Sequence, residues 1–521
     1  MTIVRFELTD LWGNPHRLPA GRATLLAFMK EDCPTCNTCA PLLEFAHEAF
    51  GAKLDVLGVG QEMPGNRVLA ECHGFDFPML DDSALKVSFA CDIETVPTLI
   101  LVSPGGEEEK RIVGFDREQW RDLFDYLAGR AGAIAPSVNW SDYPALMPGC
   151  GSKSVEPGVY ERLQAEAEGS PIRARRIEIA AQDDEFEFMF DQGFTDGLPV
   201  VPPTRERVLR MLAGTRRDPQ DVVAVVPPNM APCTVEKVAI NAVLAGCKPE
   251  YLPVVITAVE AACTDEFNAH GVMATTMGAS PVILVNGPLR RRIGMNPGLG
   301  VLGQGNRANA TIGRALRLVL RNVGGAKPGG TERSTIGTPM KYTLSFPEWE
   351  ERSPWEPYHV EHGFRPEESV LTLIAITGGP QLIVDQTTRT ARAMAGSLAL
   401  GVEAVGHPKG GAGDTLLVVC PEHVDTLWEQ GMTKAELRQR IIEVTTHPLR
   451  DRLATDEIGG GFPRRGALSE EQLSQPIPKF RDPRNLHIVV AGGEAGKFSA
   501  VMAGWASGPV GSMPVMRRIS E

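Results

Sequence analysis

The stretch TLLAFMKEDCPTCNTCAPLLEFAHEAFG, residues 24–51, limits what this chain can fold into more than any other. It opens with a short apolar run, Thr24–Met29, of strand length and strand character. It closes on an amphipathic pattern that places Leu43, Phe45, Ala46 and Phe50 roughly on one side of a helix. Between the two stand Cys33 and Cys36. A helix that begins at the first cysteine leaves that thiol at its N-terminus, where the helix dipole and unpaired N–H groups favour thiolate. The second cysteine lies one turn in, placed to resolve a mixed disulfide. A third, Cys39, follows one turn later. It is either a buried small residue or one half of a second exchangeable pair with Cys36.

The neighbouring sequence continues a βαβ rhythm. KLDVLGVG reads as a second strand, VPTLILVSPGG as a strand ended by a Gly-Gly turn, and EQWRDLFDYLAGRAG as a closing helix. Cys33-Pro34-Thr35-Cys36, the helix proline Pro41 and Thr95-Val96-Pro97-Thr98 together resemble the motifs of a thioredoxin-fold domain over residues 1–133. The resemblance implies that Pro97 is cis and helps dock substrate backbone beside Cys33, and it puts Cys39 at a core-facing helix position. Two positions depart from the family: Asp32 stands in place of the usual tryptophan, and Ala27 in place of a buried acid. A carboxylate so close to Cys33 is expected to raise its pKa.

The chain is 521 residues long, so a thioredoxin-like domain leaves most of it unexplained. Residues 134–185 read as a linker, PGCGSKSVEPG, followed by a charged helix, with Cys150 as a thiol able to shuttle between domains. Residues 186–521 read as a large α/β domain. Its apolar runs YLPVVITAVEAAC, SPVILVNGP, SVLTLIAITGGP, TLLVVCPEH and NLHIVVAGG are read as strands, most of them ending in Gly or Pro, which predicts a mostly parallel sheet. PVILVNGP, LIAITGGP and HIVVAGG share an apolar-then-glycine form that points to an internal duplication.

Candidate chemistry in this second part centres on Cys233. Thr234 reads as the N-cap of a helix Val235–Ala245 closed by Gly246, so Cys233 sits near a helix N-terminus and is expected to have a lowered pKa. The loop Gly298–Gly303, with Gly300 and Gly303, enters a helix through Asn306, Asn309 and Thr311 and continues into Arg314 and Arg317. Free N–H groups and arginines suit a small anion there. Lys497 and Ser499 in VAGGEAGKFS form a second glycine nest. His359 with His362, and Cys420 with His423, have ligand-like spacing but no paired cluster, so no metal is assigned.

FTDGLPVVPPTRERV, APCTVEKVAINAVLAGC and SPWEPYHVEHGF resemble segments of the UGSC-type (seleno)protein family over residues 186–521, although its four-residue redox motif is absent. That resemblance implies thiol or selenol chemistry and names no substrate. The expected function is a thiol redox enzyme: Cys233 acts on a small anionic substrate, and Cys33 with Cys36 recycles it. Two alternatives stand beside it, a covalent cysteine enzyme without redox change and a thiol protein that binds soft metal ions. No cofactor is expected beyond the redox disulfide. Expected partners are the small-molecule substrate and an external thiol or thioredoxin-reductase-type donor, with a homo-oligomer left open. A net charge of −13 argues against nucleic acid and anionic membranes. The N-terminus MTIVRFELTDLWG carries no signal-peptide pattern and no apolar run is long enough to span a bilayer, so a cytoplasmic location is expected.

Overall fold

The computed structural model describes residues 4–156, 159–180, 183–506 and 511–520. The chain forms two compact units, Met1–Ile177 and Glu178–Glu521.

The first unit is built on a five-stranded sheet in the order Met79–Asp81, Asp55–Gly60, Thr24–Met29, Thr98–Val102, Glu108–Val113. The first three strands are parallel, and the last two run antiparallel to their neighbours. Thr24–Met29 is buried at every position, as a central strand covered on both faces must be. It delivers the chain to the helix Pro34–Phe50, which buries Cys36, Cys39, Leu42, Leu43, Ala46 and Phe50. Phe45, expected on that face, is instead 38% exposed. At 3.6 residues per turn, positions 39, 42, 43, 46 and 50 form one stripe and position 45 lies off it. The closing helix Arg117–Ala131 is capped by the Asp116 carboxylate, which accepts from the Glu118 and Gln119 N–H groups.

This unit extends past the expected boundary at residue 133. Leu146–Met147 pairs with Phe115–Asp116, and Cys150–Gly151 pairs with Thr95–Val96. Trp140 and Tyr143 pack against the first core. The segment read as a linker is therefore structural as far as residue 155, and the charged helix beyond it spans Val159–Ala167.

The second unit holds a seven-stranded sheet. Two of its pairings are parallel and four antiparallel, which corrects the expected mostly parallel sheet. The misreading has a physical source: a strand buried on both faces is a continuous apolar run whichever way its neighbours point. SVLTLIAITGGP does not end at its glycines. The strand Val370–Val384 runs on through them with register shifts at Gly378. YLPVVITAVEAAC is no strand at all; Leu252–Ala262 is a helix buried almost all round, a pattern that periodicity does not separate from a buried strand.

The strand order is symmetrical about the central pair Val370–Val384 and Phe498–Gly504. Each half begins with a strand, Ser280–Asn286 or Thr415–Val419. Helices follow, then a parallel outer strand, Ser345–Pro347 or Leu486–Val490, and then the antiparallel inner strand. Side chains alternate across the sheet. Leu417, Val419 and Ile488 join one apolar core, and Leu416, Val418 and Val489 join the other.

Candidate functional site

Cys33 is the N-cap of the helix Pro34–Phe50, and its Sγ accepts a hydrogen bond from the Cys36 N–H at 3.4 Å. Proline at the next position suits this turn, because the first helical N–H has no partner inside the helix. The Cys36 thiol also donates to Cys33. That bond, with the Cys36 N–H and the thiol and N–H of Cys150, holds Cys33 down at about 5 against the opposing push of burial. Burial pushes Cys36 far up, and donation to Cys33 adds to the rise. The pair is thus split into one thiolate and one protonated thiol. Burial also raises Cys39, which lies in the apolar core. The expected upward push from Asp32 is not found. Its carboxylate is 64% exposed and faces Lys30 at 3.4 Å.

The loop opposite the cysteines carries a cis Val96–Pro97 bond. Cys33 Sγ lies 3.4 Å from the Val96 carbonyl oxygen. Thr35, between the two cysteines, donates its hydroxyl to Pro148 O at 2.6 Å. Cys150 is half-buried, directly opposite Val96 in the antiparallel register. Cys33, Cys36, Pro97 and Cys150 are therefore brought to one place.

In the second unit the expected site residues are buried or already paired. Thr234 is the N-cap and Gly246 closes the helix Val235–Ala245, as the residues predict. The Thr234 hydroxyl accepts from the Lys237 N–H, so the cap is oxygen and Cys233 stands one residue outside it. Cys233 is wholly buried in the hairpin strand Ala231–Thr234, and burial pushes its thiol up to about 12, the reverse of the expected shift.

The residues expected to bind an anion are already paired within the fold. Asn306 caps the helix Arg307–Asn322. Asn309 accepts from Asn296 N–H and donates to Asn296 O and Val301 O, tying down the loop that contains Gly300 and Gly303. Thr311 donates to Arg307 O. Arg314 makes a two-pronged ion pair with Asp196, and Arg317 is spent on Glu332 and Lys341 O.

Ser499 belongs to a different arrangement. It is buried, accepts from the Cys420 N–H at 3.1 Å, lies 2.7 Å from His423 Nδ1 and donates to Cys420 Sγ at 3.7 Å. Lys497 is half-buried two residues before it. Cys420 is the N-cap residue of the helix Pro421–Trp428, at the end of the strand Thr415–Val419. Although burial opposes it, His423 lowers the Cys420 thiol, and Cys420 in turn raises His423. The sequence reading set this Cys-Pro-Glu-His segment aside as metal-like spacing. The overlooked signal was the strand-to-helix turn, the same context that marks Cys33.

No family model matches the chain. Its N-terminal region is similar to thiol-disulfide oxidoreductases. It is 29% identical over 114 residues to the thiol-disulfide oxidoreductase ResA of Geobacillus kaustophilus, covering 21% of this chain and 66% of that protein. It is 25% identical over 126 residues to ResA of Bacillus subtilis, covering 24% of this chain and 65% of that protein. The chain thus spans just under two thirds of the length of these relatives. Among solved structures, a secreted disulfide oxidoreductase of Mycobacterium tuberculosis matches with 18% identity and a TM-score of 0.22, covering 24% of this chain and 96% of that one.

Proposed function

We propose that the first unit exchanges dithiol for disulfide, with Cys33 as nucleophile and Cys36 as resolving thiol. The observation that carries this reading is the geometry of the pair: Cys33 Sγ caps its helix and accepts the Cys36 N–H at 3.4 Å, one helical turn from buried Cys36, an arrangement that lowers Cys33 and raises Cys36. The Cys33 thiolate attacks one sulfur of a substrate disulfide, and the other sulfur leaves as thiolate. Cys36 then attacks Cys33 Sγ, which closes the Cys33–Cys36 bond and frees the second substrate sulfur. The Cys36 proton passes to a departing thiolate, and two electrons pass from the dithiol to the substrate. An external thiol or a thioredoxin-reductase-type donor restores the pair. The similarity to ResA supports the same chemistry. The test is reduction of glutathione disulfide by the dithiothreitol-recycled protein. Cys33→Ser should abolish it, and turnover that survives this substitution would sink the reading.

For the second unit, the reading is a thiol acting on a small substrate and recycled by this dithiol. Cys420 fits the nucleophile's place better than Cys233, because only Cys420 has an imidazole partner and a lowered pKa. A cleft of about 260 Å³ lined by Arg207, Arg210, Cys247, Lys248 and Arg307 offers positive charge to a small anion, but Cys420 is not among its lining residues. The Cys420–His423 pair equally suits covalent catalysis without redox change. The symmetrical strand order supports an internal duplication of this unit. PVILVNGP, LIAITGGP and HIVVAGG do not occupy matching places in the two halves, so the support lies in order and direction. A cytoplasmic location belongs to this reading because a dithiol that must be kept reduced works in a reducing compartment. Among the described residues, no helix is long and apolar enough to cross a membrane.

A further inference from the structure

We propose that Cys150 is a third redox thiol of the first unit, and that the strap carrying it occupies the dithiol's docking edge as a built-in substrate, exchanging into a Cys33–Cys150 disulfide. The inference rests on the reading of Cys33 and Cys36 as an exchanging pair.

The backbone at Thr95–Val96 is a strand edge lying against Cys33 Sγ. An extended polypeptide that docks by strand addition would have to pair there. The chain fills that edge itself. Cys150 stands opposite Val96, Gly151 opposite Thr95, and the Ser152 N–H donates to Glu94 O at 2.9 Å to continue the ladder. The approach is close. A Cβ on Gly149 would stand 2.3 Å from Thr95 Cγ2 and 2.5 Å from Val96 O, so only glycine fits this place in the strap. Thr35, inside the C-x-x-C turn, donates to Pro148 O and fixes the residue before that glycine.

Both ends of the strap are fastened. On one side Leu146–Met147 pairs with Phe115–Asp116. On the other, Ser152 and Ser154 are buried and hydrogen-bonded to Gln61 and to Ile93 O. Such a buried polar network is costly to leave half-made, so the seated strap is the stable arrangement. Its cysteine stands opposite Val96, whose carbonyl oxygen lies 3.4 Å from Cys33 Sγ, and Cys33 in turn raises the Cys150 thiol. No external substrate is needed to bring a second sulfur into the exchange position.

The balance is simple. Once a substrate disulfide has oxidised the pair, the Cys150 thiolate attacks Cys33 Sγ. The Cys33–Cys36 bond breaks, the Cys33–Cys150 bond forms, and Cys36 leaves as thiolate and takes up the proton that Cys150 lost. One disulfide replaces another, with no net oxidation. The consequence is positional: the disulfide moves from the buried Cys36 to the half-buried Cys150, from which a further thiol can accept it. A seated strap also covers the edge, and because Cys33 is fully buried beneath it, a disulfide reaches Cys33 when the strap lifts.

The test uses the full chain, glutathione disulfide as oxidant, acid quenching, and peptide mass spectrometry of the sulfur pairs. In Cys36→Ser, glutathione should leave Cys33 at least about tenfold faster than in Cys36→Ser/Cys150→Ser, because a thiol held in contact acts at an effective concentration of about millimolar or more. The product should be a Cys33–Cys150 disulfide. Gly149→Ala, which displaces the strap, should suppress that product while Cys33 still takes up glutathione. Because Cys36 is buried and its substitution could unfold the unit, the wild-type protein is scored as well, and a Cys33–Cys150 fraction should be present beside Cys33–Cys36. Equal persistence of the Cys33 adduct in the single and double variants, or no Cys33–Cys150 pair in the wild type, overturns the inference while leaving the dithiol reading intact. No glutathione on Cys33 in any variant overturns both.

Discussion

The reactivity of Cys33 below neutral pH is the measurement on which the proposed chemistry most depends. With its thiol at about 5, about half of Cys33 is thiolate at pH 5, against roughly 0.03% of an ordinary cysteine titrating near 8.5. That is an advantage of about 1,600-fold in reactive species. Nucleophilicity falls with basicity at a Brønsted slope of about 0.45, which returns a factor of about 40 over this pKa difference. With the strap open, Cys33 should therefore outpace an ordinary thiol by about 40-fold at pH 5, and run close to parity at pH 7, where the thiolate advantage is only about 30-fold. The assay is iodoacetamide labelling of the reduced protein across pH 4–9, with the alkylated peptide quantified by mass spectrometry. Cys33 is fully buried under its strap, so strap opening sets the plateau rate, and the midpoint still reports the thiol. Stability follows the same titration. A thiol near 8.5 when unfolded and about 5 when folded contributes stability that is complete above about 8.5, declines as pH falls, and is gone below about 5. Cys33→Ser should remove that dependence from the reduced protein. A labelling midpoint near 8.5, or Cys36 labelled ahead of Cys33, refutes the reasoning.

Cys39→Ala should keep most of the exchange activity and cost about 1 kcal/mol of stability in thermal denaturation, because the thiol serves as core packing; loss of activity equal to that of Cys33→Ser would place it in the relay. In native labelling at neutral pH, Cys420 should react ahead of Cys233, and His423→Ala should slow it, since His423 is what lowers the Cys420 thiol; peptide mapping reads both. Arg314→Ala strands the mostly buried Asp196 carboxylate and should destabilise the second unit by about 3 kcal/mol in urea denaturation. Asp196 is held below the usual carboxylate range, so in the wild type its contribution is present above its unfolded pKa and fades as pH falls through the folded value.

The first unit was largely legible because its signals are local. A strand, a capped thiol and an amphipathic helix follow one another within residues 24–51, and each has its own period or spacing. The strap was not legible, because a two-residue strand at Cys150–Gly151 carries no period, and its partner lies more than fifty residues away. PGCGSKS therefore reads as a flexible linker until Val96 is seen opposite it. In the second unit the helix boundaries at Thr234 and Gly246 were readable and the chemistry was not. The arginine stripe has helical spacing, but spacing says nothing of Asp196 and Glu332, which reach it from distant segments and neutralise it.

The three helix-start cysteines show what a sequence must supply before such a thiol is reactive. Cys33 and Cys420 are themselves the N-cap residues of their helices, and each has a partner that favours the thiolate, the Cys36 N–H and thiol in one case and His423 in the other. Cys233 precedes a helix of 11 residues, longer than the 8-residue helix at Cys420, yet Thr234 takes the cap and the sulfur turns into the core. The dipole and free N–H groups act within the first turn. A displacement of one residue hands them to the threonine hydroxyl and leaves the cysteine to desolvation, which raises it against a smaller opposing pull from Lys237. The useful pattern is therefore narrower than cysteine before a helix. The cysteine must occupy the cap, no Ser, Thr, Asp or Asn may follow it to claim the cap instead, and a donor or imidazole must stand three residues on, as Cys36 and His423 do.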